Sequence, residues 1–414
     1  TVKDILEPHL NDADNDFDLD KQLHSDDSND SFTVAAHSLS KSLWDGWHLF
    51  GSSTVPYLSS MSQNLGAGQV SSFGEWGLNW VAYTQLGEFD TTDVQLVLGE
   101  GYYLALASSD EMTLRGNPVT GDPDDGNLHS LSISKGWNLV SNPLVTTVGV
   151  DQLTVSEDGE TAELTWEHAA NSGWVQSNIN TWFIDSHMHA DNLVPFGGYW
   201  IHSSRDVDVH VNPHLNTYSS REAVADNGWD LVLSASDALS DASGDFVTIS
   251  LRDDANNEFV YGEDELDHPN PIQPNFIDMH IDRFDWVGTS DSRGIMAESP
   301  YFSSDVRSNS EVDDFQTWNI SAEAYNVPGN VTLSWAMTDD IDADLHLVVK
   351  GEAYNLKEIA SIDVPNNSLG DMVLVMGDLN SYLGPQEFAL SNAYPNPFNP
   401  ATSLDLSLAE AGHV

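Results

Sequence analysis

The chain contains no cysteine, so no disulfide staples its fold and thiol chemistry is excluded. Positive charge is scarce: 13 Lys and Arg stand against 66 Asp and Glu, a formal net charge of −53 at pH 7. An excess of this size excludes nucleic acid and anionic membrane surfaces as partners. Its self-repulsion opposes compaction unless cations screen or bridge it, as a saline medium or bound calcium would. No apolar run reaches the ~18 residues that a membrane-spanning helix needs. Catalytic signatures are missing as well: there is no G-x-S-x-G elbow, Walker loop, H-E-x-x-H or G-x-G-x-x-G before a helix. That weighs against an enzyme. It does not exclude a glycosidase, whose carboxylate pair has no compact signature.

What remains is β-patterned. The 414 residues, 13 of them Trp, are enough for several cores, and the aromatics suit β cores or exposed stacking platforms. An internal repeat dominates the first half. Asp45-Gly46-Trp47-His48-Leu49-Phe50-Gly51 recurs 90 residues later as Lys135-Gly136-Trp137-Asn138-Leu139-Val140-Ser141. Gly101-Tyr102-Tyr103-Leu104 recurs 97 residues later as Gly198-Tyr199-Trp200-Ile201. Each unit reads as a small β-domain, the glycine before the aromatics marking a bulge or a close backbone approach. A third copy of the opening lies at Asn227-Gly228-Trp229-Asp230-Leu231.

Residues 215–385 alternate in some seven or eight strands, which predicts a β-sandwich of immunoglobulin-like class without its cysteine pair. Within it, 246–251 and 259–261 are expected to form a hairpin. Helix is scarce, with at most a short turn at 219–226. The predicted organisation is all-β: an acidic mobile lead-in at 1–37, β-modules at 38–127 and 128–214, the sandwich at 215–385, and a partial β-domain at 386–414.

Several groups invite chemistry. Asp122, Asp124, Asp125 and Asn127 place hard oxygen ligands around Gly126 between the repeats, a calcium site or an ordinary acidic turn. The Asp-rich tract from Asp12 lacks the glycine and the closing glutamate of an EF loop, which favours a solvated segment. Beyond calcium, no cofactor is expected. His187-Met188-His189 offers two imidazoles on one strand face, as metal ligands or as part of a polar loop. Asp278, His280 and Asp282 share one face of a strand. They form a hydrolytic carboxylate pair, a solvated surface, or partners of Arg283 or Arg293. Trp44, Trp76, Trp80, Trp174 and Trp182 fall outside the repeat framework, as sugar-stacking platforms or as core.

The most specific stretch is Tyr394-Pro395-Asn396-Pro397-Phe398-Asn399-Pro400, whose three prolines forbid a helix. An alternating strand, Ser403–Leu408, follows it. This block resembles the opening of the C-terminal sorting domain of type IX (Por) secretion cargo, with the later strands of that family missing before Val414. The repeats are more loosely similar to a GWNL…GYW module that precedes such domains in secreted bacterial proteins. The resemblance implies export through the secretion machinery to the surface or medium. The unfinished terminal strands are expected to add to a neighbouring sheet edge. Thr1-Val2-Lys3-Asp4 has no charged-then-apolar leader, so this numbering is expected to begin after signal removal or inside a longer precursor. The resulting expectation is a non-catalytic structural protein of a filament, surface layer or adhesive stalk, with copies of itself as partner. A surface polysaccharide is the partner in a second reading, as a carbohydrate-binding protein or an accessory region of a polysaccharide hydrolase.

Overall fold

The computed structural model describes residues 37–60, 64, 80–83, 95–106, 109–119, 129–157, 163–183, 186–212, 228–237, 244–270, 275–309, 314–338, 341, 343–384, 389–390, 401, 403 and 406–407. The architecture is all-β, built almost entirely from antiparallel sheets. The chain divides into two compact units: 1–224 with 260–274 and 289–297, and 225–259 with 275–288 and 298–414.

In the first unit each repeat folds as two small sheets. The first module pairs His37–Leu43 with Asp110–Asn117, and Gly46–Gly51 with Gly101–Leu106. The second repeats this as His129–Ile133 with Val207–Val211, and Gly136–Ser141 with Gly198–Ser203. Even the register is kept: Leu43 faces Asp110 as Ile133 faces Val207. Gly46 and Gly136 open their strands at φ 112° and 101° with no wall against a side chain, so the turn itself requires glycine. His48 Nε2 donates to Trp44 O at 3.0 Å, and Asn138 Nδ2 reaches back to Ser134 O at 2.7 Å. Different side chains thus close the same turn.

The glycines before the aromatics mark a close backbone approach. A Cβ on Gly101 would lie 2.6 Å from Val140 O, and one on Gly198 would lie 2.7 Å from Phe50 N. The two modules therefore meet about a pseudo-two-fold axis, each glycine strand against the other's opening strand. Glu100 bridges Val140 and Gly197 bridges Phe50. Gly51 stands against its own counterpart Ser141, where a Cβ at 51 would come 2.0 Å from Ser141 Cβ. Leu49, Tyr103, Leu139, Trp182 and Trp200 close the seam with Trp47 and Trp137 beside them, and Trp200 Nε1 donates to Tyr103 Oη at 3.2 Å. Because these strands bury one face in their own module and the other in the seam, Gly101–Leu106 is buried throughout. It reads as an unbroken apolar run for that reason.

The second unit is a two-sheet sandwich. Its five-stranded sheet runs Ser304–Ser308, Asp245–Arg252, Trp229–Ser236, Asn330–Met337, Ser361–Pro365. Its six-stranded sheet runs Tyr301–Phe302, Phe276–Asp282, Phe315–Tyr325, Met372–Gly377, Leu345–Val349, Glu352–Asn355. Asp245, from one sheet, accepts the Met279 N–H of the other at 2.8 Å.

Two expectations are corrected here. The sandwich has more strands than the seven or eight expected. Asp245–Arg252 pairs with Trp229–Ser236 and, in parallel, with Ser304–Ser308, so 259–261 does not form the hairpin; Tyr261 instead bridges Asp264. The third opening motif begins the sandwich. Trp229 starts a strand that alternates buried and half-buried, and Gly228 lacks the positive φ of its two counterparts. A short helix absent from the sequence reading, Trp166–Asn171, is capped by the Thr165 hydroxyl accepting from His168 N. Its Trp166 lies in the second module's core. No helix among the described residues is long and apolar enough to cross a membrane.

Candidate functional site

A concavity in the second unit is built on two arginines. Arg283 directly follows the Phe276–Asp282 strand, and Arg307 lies in Ser304–Ser308. Between them Asp305 is fully buried and takes Arg283 Nη1 at 2.8 Å and Arg307 Nη2 at 2.9 Å. Both guanidiniums lie over indoles, Arg283 3.2 Å from the Trp286 centroid and Arg307 4.5 Å from that of Trp318. Asp285 grips Arg283 in a two-pronged ion pair at 3.1 and 2.9 Å, which holds its carboxyl below the ordinary value. Arg307 Nη1 donates to Thr317 O at 2.9 Å. Planar guanidiniums fixed by stacking and paired hydrogen bonds are pre-organised donors. The cavity they floor has a volume of about 460 Å³ and is also lined by Asp282, Phe284 and Asn319. Phe284 is 65 % exposed and meets Tyr301 edge-on at 6.0 Å.

The strand leading into this cavity carries Asp278, His280 and Asp282. The expectation of a solvated surface fails at its first two members, since Asp278 and His280 are buried. His280 lies between the two carboxylates, 3.9 Å from Asp278 and 3.4 Å from Asp282, and Asp282 also accepts from the Ser321 hydroxyl. The suggested arginine partners are engaged elsewhere: Arg283 with Asp285 and Asp305, Arg293 with Asp291 at 2.7 Å. A histidine between the carboxylates gives them a cationic neighbour when protonated, unlike a bare acid/base pair.

In the first unit the His-x-His motif does not present both rings together. His187 is buried, stacked 3.7 Å from His268 and edge-on to Trp182 at 4.8 Å. His189 is exposed on the same strand and lies 3.7 Å from Glu265. Burial drives the pKa of His187 well down, His268 adding to the effect, and burial pushes Glu265 up. A neutral, stacked imidazole against an indole is packing chemistry. Nearby, Tyr261 Oη lies 2.7 Å from His202 Nδ1.

Among the stacking candidates, Trp182 is 7 % exposed within the seam, so its ring is not offered to a ligand. Trp174 is half-buried with Arg205 5.1 Å above its ring. Trp44 is exposed at the module edge, 4.4 Å from the His48 ring. Trp80 opens the strand Trp80–Tyr83. Trp76, the calcium candidates Asp122, Asp124, Asp125 and Asn127, and the block Tyr394, Pro395, Asn396, Pro397, Phe398, Asn399, Pro400 lie outside the described residues. Just beyond that block, Leu406–Ser407 pairs with Ala389–Leu390 in a two-stranded sheet with Leu390 opposite Leu406.

Sequence reasoning weighed Arg283 only as a partner for the face of Asp278, His280 and Asp282, and passed over Phe284 and Arg307. A signal was present. Arg283-Phe284-Asp285 and Asp305-Val306-Arg307 each place an arginine two residues from an aspartate, in a chain with 13 cations in all. No protein-family model, curated protein or solved structure matches the chain.

Proposed function

We propose that this chain is a secreted, non-catalytic structural protein, a subunit of a self-assembling extracellular filament, surface layer or adhesive stalk. The observation that carries the reading is the hairpin of Ala389–Leu390 with Leu406–Ser407. Among the described residues its strands pair only with each other, and its two facing leucines are 64 % and 45 % exposed. A two-stranded unit is marginal alone, and exposed leucines on an open edge suit addition to another sheet. The sandwich ends in edge strands such as Glu352–Asn355 that take such an addition. Head-to-tail addition without rotational closure generates a filament. The Tyr394–Pro400 block, by its resemblance to sorting domains, supplies export, and the pinned module pair supplies a stiff repeat.

Electron microscopy of the full chain beside the double variant Leu390→Asp/Leu406→Asp tests the assembly. Filaments in the first and none in the second are expected, with the melting temperature unchanged. Filaments that survive both substitutions overturn the joint.

A further inference from the structure

The cavity on Arg283 and Arg307 is unused by an assembly role, and its chemistry is specific. We propose that it is a binding site for a neutral carbohydrate, a sugar unit recognised through adjacent hydroxyls. The cavity lies within the second unit alone, so it is independent of whether the chain polymerises.

The donors come first. Arg283 spends Nε, one Nη1 and one Nη2 proton on Asp285 and Asp305. Arg307 spends the same three positions on Asp305 and Thr317 O. A guanidinium has five N–H bonds, so each arginine retains two, and its orientation is already set by the indole beneath it. Fixing donors before the ligand arrives removes much of the ordering cost of binding. Acceptors sit on the same rim: the carboxylates of Asp282 and Asp285, and the amide of Asn319, which both donates and accepts. Phe284 adds an exposed ring beside them.

The combination discriminates between ligand classes. An anion would meet Asp282 and Asp285 as well as a chain of net charge −53. A cation would meet two guanidiniums. A vicinal diol suits both sets, because each hydroxyl accepts from an arginine and donates to a carboxylate while the C–H face of the ring packs on an aromatic. The volume, about 460 Å³, lies within the range of small-molecule sites.

The test is calorimetry on the full chain with neutral oligosaccharides (cello-, laminari-, manno- and chito-oligomers), an oligogalacturonate as the anionic arm and spermine as the cationic arm. The variants are Phe284→Ala and Asn319→Ala, neither of which contributes to the buried ion network. The expected result is a neutral oligomer bound with a Kd in the ~0.1–1 mM range, little changed by added salt. Each variant is expected to weaken it about tenfold or more, with the melting temperature retained. Binding confined to oligogalacturonate or spermine and abolished by salt overturns the assignment. So do neutral binding that both variants leave intact and the absence of any neutral binding at ~10 mM ligand. Filament formation is scored separately, so failure here leaves the assembly reading where it stands.

Discussion

At the scale of single residues, what decides behaviour is which polar groups the fold removes from water. His187 is the clearest case, enclosed by His268 and Trp182 and held neutral by burial. An unfolded histidine takes up a proton near pH ~6.5, whereas folded His187 stays neutral well below that. Under ~6.5 the unfolded state therefore binds more protons, and stability falls as pH drops. Glu265 acts in the opposite sense. Its raised pKa keeps a proton that the unfolded chain has released above about 4.5, so its contribution falls as pH rises. Replacing His187→Gln isolates the first effect. Urea titrations from pH ~6.5 to ~5 are expected to show a slope shallower than the parent's by up to ~1.4 kcal/mol per pH unit. An unchanged slope means that His187 is not the buried neutral group. None of this was legible in the sequence, where His187 and His189 looked equivalent. Their difference arises because residues distant in the chain meet them unequally: His268 stacks on His187 and helps bury it, while Glu265 meets a His189 that stays exposed.

At the scale of strands, the repeat announced itself through tryptophans, glycines and tyrosines, and it delivered matched strands in matched register. Tyr102 and Tyr199 even accept the same backbone N–H, from Val97 at 3.0 Å and Val194 at 2.5 Å. The apolar run Gly101–Leu106 is buried on both faces. The cover itself was not legible, because periodicity within one module says nothing about its twin. The third motif opens a strand of a different fold: Gly-Trp-x-Leu describes an edge-to-core strand start in either, and the positive φ at Gly46 and Gly136 separates them. The seam makes a sharp forecast. Gly51→Ala forces its Cβ onto Ser141 and is expected to destabilise the first unit by about 1–3 kcal/mol. Adding Ser141→Gly removes the nearest contacts and is expected to restore part of that loss in a double-mutant cycle. Strictly additive effects in thermal melts would show that the two positions do not touch.

For the whole molecule, the dominant fact is charge. With −53 distributed over 414 residues, mutual repulsion works against the folded chain and against any assembly of chains, and it acts through a medium that salt screens. The melting temperature is expected to climb by several degrees as NaCl rises from ~0.1 to ~1 M, with Na₂SO₄ compared at matched ionic strength. A melting temperature indifferent to salt would mean that repulsion is already neutralised within the fold. The two matched modules were legible from the repeats. The interleaving of 260–274 and 289–297 with the first unit was not, since no local pattern records a strand linker returning to an earlier domain.

The unequal pair at the pseudo-two-fold axis has one more implication. Gly51 faces Ser141, and Gly99 at φ 87° has Phe196 at φ 65° as its counterpart. A Cβ on Gly99 would lie 2.7 Å from Leu131, while Phe196 fills the first module's core. Two second modules brought together would set serine against serine and drive phenylalanine into a space shaped for hydrogen. The duplication has thus acquired chemical handedness between its halves: the second module fits its sibling and rejects its own likeness. Chains that exchanged partners through this surface would seat a second half only on a first half. Such exchange either closes two chains as a swapped dimer or extends as an open row of alternating halves, and never sets two second halves together.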